Sequence, residues 1–190
     1  MDYHSYGSEY TQEKATPGYY TNQLSKYGIT TEVTATPRTS CERYTFPAGE
    51  GHIILNLGQG LTNESGAMVR RVSSTEVEGM KLLGTFCYTT QAVFPIYFVM
   101  RVSREPSTAG PWKYQPKLQG VESAWSPDDG TYKLYENYHR EIAGDDIGYR
   151  FSYDDLGEGE QVTVRMGVSF VSIENARMNL EAEQQGKTFD

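Results

Sequence analysis

From Gln161 to Val171 the chain alternates with period two. Val162, Val164, Met166, Val168 and Phe170 are apolar, with Thr163, Arg165, Gly167 and Ser169 between them. An extended backbone sends successive side chains to opposite faces, so this stretch is a strand with one face in a core. Residues 94–102 repeat the pattern, with Phe94, Ile96, Phe98, Met100 and Val102 on one face and Tyr97 and Val99 on the other. That predicts a strand covered on both sides, with Pro95 near its start where a missing N–H is tolerated. Residues 29–35 read as a half-exposed strand, and Ile53-Ile54-Leu55 as a short central one. Weaker strands are predicted at 19–25, 43–46, 68–73, 76–83, 133–136 and 149–153. Between them lie turn signals such as Pro17-Gly18, Asn63-Glu64-Ser65-Gly66 and Gly157-Glu158-Gly159. Many short strands at turn-punctuated spacing predict an all-β fold, an antiparallel β-sandwich forming one domain over residues 1–190. The 15 Tyr and 19 Gly fit that reading, since Tyr suits strands and Gly suits turns.

Two regions break the pattern. Residues 105–146 form an excursion, read as a loop because Pro106, Pro111, Pro116 and Pro127 fall in it together with both tryptophans, Trp112 and Trp125. Residues 172–186 form the one predicted helix: Ser172 is the N-cap, Glu174 lies in the first turn, Ile173, Ala176 and Leu180 share a face, and Gly186 ends it. A helix leaving a sandwich at its end reads as an exit towards something further on.

Charge excludes several functions. Seventeen basic and 25 acidic residues give 17 − 25 = −8, which repels phosphate backbones and anionic membrane surfaces. No run approaches the roughly 18 apolar residues of a membrane span. The N-terminus has no basic and apolar signal segment, so the chain is expected to be either cytoplasmic or a piece of a longer protein. Cys41 and Cys87 read as two buried thiols, although one disulfide is arithmetically possible.

The chain is sparse in catalytic signals. His4, His52 and His139 lack zinc-ligand spacing, no G-x-S-x-G elbow occurs, and Gly58-Gln59-Gly60 reads as a turn rather than a nucleotide loop. Asp128-Asp129, Asp145-Asp146 and Asp154-Asp155 are open to three readings: calcium ligands, a glycosidase acid/base pair, or solvated turn chemistry, with the turn reading favoured by the adjoining glycines. Asn63-Glu64-Ser65 matches a glycosylation sequon. Trp112 and Trp125 are candidate substrate-binding residues, because aromatic faces stack on sugar rings; plain packing is the competing reading.

Three ordered segments resemble the N-terminal domain of glycoside hydrolase family 92, the calcium-dependent α-mannosidases. The first is Ala15-Thr16-Pro17-Gly18-Tyr19-Tyr20 with Glu32-Val33-Thr34-Ala35-Thr36, Arg38 and Arg43-Tyr44-Thr45-Phe46-Pro47. The second is Gly84, Cys87 and Ile96-Tyr97-Phe98. The third, the longest, runs from Gly167-Val168-Ser169-Phe170-Val171-Ser172 through Glu174-Asn175-Ala176-Arg177 to Asn179-Leu180-Glu181-Ala182-Glu183. The chain departs from the family pattern at Gln12 and Glu42, where members often carry His.

The resemblance implies a β-sandwich preceding an (α/α)6 helical domain, and an exo-acting enzyme that releases mannose from α-mannosides, α-1,2-linked ones among them, with inversion. It implies that the general acid, general base and calcium ligands lie mainly in the helical domain, so that no catalytic or metal residue is named here and this piece binds no cofactor and is inactive alone. The partners implied are that helical domain and α-mannoside glycans, and the parent is expected in the periplasm or outside the cell. Ile173, Met178 and Leu180 are the candidate interdomain contacts. Two other classes compete: a free-standing carbohydrate-binding module using Trp112 and Trp125, and a purely structural or interaction domain.

Overall fold

The alternating stretch is strand β13 (Glu160–Ser169), and it lies in the middle of the larger of two sheets. The computed structural model describes residues 3–58, 64–84, 93–116, 130–138 and 140–190. In chain order they form α1 (Tyr3–Tyr6), β1 (Tyr10–Thr16), β2 (Tyr19–Leu24), β3 (Ile29–Ala35), β4 (Thr39–Phe46), β5 (Gly49–Asn56), β6 (Glu64–Arg71) and β7 (Glu76–Gly84). There follow β8 (Val93–Val102), β9 (Thr108–Gln115), β10 (Thr131–Leu134), β11 (Ile142–Gly144), β12 (Ile147–Leu156), β13 and α2 (Ile173–Gln184). A nine-stranded sheet, β1-β2-β3-β4-β13-β8-β7-β6-β11, packs on a four-stranded one, β10-β9-β12-β5, and the pairings are antiparallel.

Register explains the core. Val164 stands opposite Glu42 of β4 and Val102 of β8, so the even-numbered positions of β8 and β13 share the inner face. Phe98, Met100, Val102, Val162 and Val164 meet Ile53, Ala109, Tyr149, Phe151 and Tyr153 of the smaller sheet there. Full burial of each aliphatic or Phe side chain contributes about 1.5–3 kcal/mol. The expected second cover on β8 is helix α2: Val99 packs with Ala176 and Leu180, and Tyr97 and Ile173 flank them. The helix is capped as the sequence predicts, with the Asn175 N–H donating to Ser172 Oγ at 3.1 Å and Gly186 at φ +70° beyond its end.

Two features differ from the expectation. Residues 105–146 are not simply a loop: β9, β10 and β11 lie in them, and β9 is an inner strand flanked by β10 and β12. Pro111 argued against a strand, yet it sits fully buried in β9, its carbonyl accepting the Tyr135 N–H at 2.9 Å. Residues 117–129, with Trp125, Pro127 and Asp128-Asp129, lie outside the described residues, as do Asn63, Cys87 and His139. Cys41 is a buried free thiol. Strand β1 carried no signal because all its residues are exposed. It is an edge strand with an irregular register between Thr11 and Lys14, where Gln12 has φ +54°, a break that discourages pairing with another chain.

Helix α2 lies close on the sheet because Gly167 has no side chain. A Cβ there would stand 2.5 Å from the Ala176 carbonyl oxygen and 2.6 Å from Leu180 Cβ. Gly167→Val should lift the helix and destabilise the protein by about 1–3 kcal/mol. Urea denaturation with hydrogen exchange checks this; the loss of protection should centre on residues 173–184.

Candidate functional site

The inner-face alternation of β13 runs out towards the surface at its C-terminal end. Along the inner face Met166 and Val168 are half-buried against the core, and Phe170 beyond them is 66% exposed. Near the start of β8, Phe94 is 38% exposed, and its ring lies 5.9 Å from that of Phe170. Val93 and Val171, next to them in the chain, are also exposed. The alternation that builds the core therefore continues into an uncovered apolar rim, the kind of surface that marks an interaction site. The sequence showed Phe94 and Phe170 as members of the pattern; their exposure is a tertiary fact that the alternation does not carry.

The candidate interdomain residues separate. Leu180 is buried against Val99 and Ile173 is half-buried beside it, both used within the domain, whereas Met178 is exposed on the helix's outer side. Trp112 is corrected too. It lies in β9, not in a loop, and is fully buried, its ring over Gly148, where a Cβ would meet Trp112 Cζ2 at 2.3 Å, with Tyr132 packed edge-on at 5.6 Å. It offers no stacking face to a sugar, and Trp125 lies outside the described residues.

The outer face is charged and ordered. Glu76 and Glu78 of β7 are buried beneath α2, and Arg177 of the helix pairs with both, at 2.5 Å to Glu76. Arg70 reaches Glu78 at 2.6 Å and Arg101 pairs with Glu76. Farther along, the C-terminal segment lies across the sheet: Arg165 Nη2 donates to the Lys187 carbonyl at 2.6 Å, and Phe189 is held by the Arg43 guanidinium 4.2 Å from its ring centre and by Tyr19. Glu32 accepts from Arg43 at 2.7 Å and from the Tyr19 hydroxyl at 2.8 Å.

The model of the "Glycosyl hydrolase family 92 N-terminal domain" matches residues 1–169. The chain belongs to this family. Among solved structures, the family GH92 alpha-mannosidase BT3965 from Bacteroides thetaiotaomicron, in complex with mannoimidazole, is 25% identical with a TM-score of 0.75 over 96% of this chain. The family GH92 inverting mannosidase BT2199 from Bacteroides thetaiotaomicron VPI-5482, at 21% identity and a TM-score of 0.70 over 95% of the chain, supports the fold alone. This chain spans 22% and 21% of those two chains, about a fifth of their length. No match is found among curated proteins.

Of the acidic pairs in this family 92 domain, Asp145-Asp146 and Asp154-Asp155 lie among the described residues. Asp146 accepts from the Tyr132 hydroxyl, Asp155 pairs with Arg104 at 2.7 Å, and among the described residues no group of three or more His, Cys, Asp or Glu could hold a metal ion. His52 is a strand histidine between Ser152 Oγ at 3.1 Å and Glu50 at 3.2 Å. Of the two departures from the family pattern, Glu42 accepts from Tyr44 and Ser40, and Gln12 donates to Gln23 at 2.9 Å.

Arg177→Ala should cost about 1–3 kcal/mol, because two buried carboxylates lose a shared partner while Arg70 and Arg101 remain. Chemical denaturation measures it, and Glu76→Gln in the same background should recover part of the loss. Acid acts on Glu32, whose carboxyl is held below its ordinary pKa by the Arg43 guanidinium and then by Tyr19. A depressed folded pKa stabilises fully above the unfolded value of about 4.3 and is lost as pH falls through the folded one. Glu32→Gln should therefore melt with a shallower pH dependence than wild type below about pH 4.3.

Proposed function

We propose that this chain is the N-terminal β-sandwich of an exo-acting α-mannosidase that hydrolyses α-mannosides, α-1,2-linked ones among them, with inversion, and that it is not catalytic by itself. The observation that carries this reading is the apolar rim of Phe94 and Phe170 beside a core that is already closed. In the proposal the rim, with Met178, seats the remainder of a longer chain, an (α/α)6 helical domain, and the sandwich forms one wall of the sugar pocket. Family membership supports it, as does the fact that this chain covers only 22% of the BT3965 mannosidase chain.

Inversion needs a general acid and a general base on opposite sides of the glycosidic bond, about 6.5–9.5 Å apart, with a water at the base. We place both carboxylates, and the calcium that would bind and distort the sugar, on the remainder of the chain. The parent acts in the periplasm or outside the cell, where such glycans are met. The burial of Trp112 removes one of the two platforms of the free-standing carbohydrate-binding reading.

The test compares the 190-residue chain with a longer polypeptide that includes the helical domain. The short chain should release no mannose from α-1,2-mannobiose. The long one should release β-mannose first, as seen by proton NMR, and lose activity on chelation of calcium. Phe170→Asp should lower turnover by the long form at least tenfold while leaving the melting temperature of the short form unchanged. Mannose release by the short chain, or chelator-insensitive turnover by the long one, defeats the proposal.

A further inference from the structure

On the outer face of the nine-stranded sheet, Glu76, Arg101, Arg165 and Cys41 stand side by side in one cross-strand row, contributed by β7, β8, β13 and β4. Directly opposed residues on one face have Cβ atoms about 4.5–5.5 Å apart, and like charges at that spacing repel. Arg101 is compensated by Glu76 and, at 3.3 Å, by Glu181 of α2. Arg165 is not. Among the described residues it makes no ion pair: its Nη2 is spent on the Lys187 carbonyl, and its Nε is buried with no hydrogen-bond partner. That buried Nε is out of reach of any groove ligand, so it is the unpaired charge of Arg165, rather than this donor, that an anion would meet.

Arg101 and Arg165 line a groove of about 460 Å³ between α2 and the sheet. Thr163, Ser103 and Gln185 add neutral polar groups to its walls, and Glu181 stands at the Arg101 side. The helix ends here, and bare terminal carbonyls would repel an anion. Two of them are already occupied, the Glu181 carbonyl by the Gln185 N–H and the Gln184 carbonyl by the Lys187 N–H. The groove thus presents two cations and one carboxylate, with the uncompensated cation next to neutral hydroxyl and amide groups.

From this juxtaposition we infer that the groove binds an oxyanion, a carboxylate or phosphate held by Arg165 with Arg101 beside it. A guanidinium pairs with both groups through charge-assisted hydrogen bonds, and an anion beside Arg165 offsets a charge that no carboxylate among the described residues meets. The net charge of −8 opposes anions at long range, so the affinity comes from short-range contacts. The group can belong to a free inorganic ion or to an acidic sugar whose hydroxyls meet Thr163, Ser103 and Gln185. This site lies on the face opposite the apolar rim, and the inference stands independently of the mannosidase reading.

The experiment follows the melting temperature and calorimetric heat of the 190-residue chain with inorganic phosphate, acetate and glucuronate. Phosphate should bind with a millimolar Kd and raise the melting temperature. Arg165→Gln should weaken binding at least tenfold and make the melting temperature insensitive to phosphate, Arg165→Lys should retain part of the effect, and Arg150→Gln on the other sheet should behave as wild type. Because Arg165→Gln also relieves the repulsion with Arg101, its melting temperature without anion should equal or exceed the wild-type value, which shows that it is folded. Glucuronate binding tenfold tighter than acetate identifies an acidic sugar as the source; equal affinities identify any small oxyanion. No binding of the three at 50 mM, or binding that Arg165→Gln leaves unchanged, overturns the inference.

Discussion

Strands β8 and β13 lie side by side in the larger sheet, and β8 carries apolar residues on both faces. Phe98, Met100 and Val102 require one cover, and Tyr97 and Val99 require another. An antiparallel sheet can leave one face in water only if that face is polar, and β8 does not meet the condition. The smaller sheet supplies the first cover and helix α2 the second. Everything else in the architecture follows from satisfying both at once, including the absence of a side chain at position 167, where the helix backbone comes closest to the sheet. The buried charges belong to the same requirement. Glu76 and Glu78 are outward-facing residues of β7 that the helix covers, and Arg177 arrives on the helix to meet them. Replacing such a cluster whole by apolar residues would cost little, whereas removing Arg177 alone leaves Glu78 to Arg70 and Glu76 to Arg101 with less than full compensation, so the cluster ties helix position to sheet register more than it adds net stability.

Much of this was legible in the amino-acid order because the informative strands are two-sided. Period two in β13 and β8 fixed which residues face inward, and the extra apolar positions Tyr97 and Val99 announced a second cover. Ser172, Asn175 and Gly186 likewise behave as local rules require, since capping depends on a few neighbouring groups. The failures have equally specific causes. Strand β1 has no buried face, so periodicity had nothing to report, and its pairing with β2 is a tertiary fact. In β9 Pro111 overrode the strand signal, although an inner strand can hold a proline where its carbonyl still finds a donor. Trp112 was misplaced with it: once the segment is a strand, its outward side chain can lie over Gly148 and vanish from the surface.

The candidate site was less legible than the fold because exposure is set by what is absent above a residue. Nothing local distinguishes Phe170 from Val164, two members of one alternating series, yet Val164 is buried and Phe170 is exposed. The converse holds for Leu180, which by composition could have been a contact residue and is instead the helix's anchor against Val99. The Arg101–Arg165 pairing is invisible in the chain order as well, since the two residues lie 64 positions apart and become neighbours by register.

The rim and the arginine pair differ in how they relate to folding. The core below the rim is closed: Val162, Val164, Phe98 and Met100 are buried whatever happens to Phe170. Exposed aromatic surface that the domain does not need for its own stability is a liability for solubility, and its presence argues for a partner that covers it. The uncompensated Arg165 argues in the same way from the polar side, because opposed like charges weaken the sheet that carries them. A sequence selected for stability alone would have placed a polar residue at 170 and a neutral one at 165. Both choices run against the local optimum, on opposite faces of one sheet, and each is intelligible if that face meets something the sandwich does not itself contain.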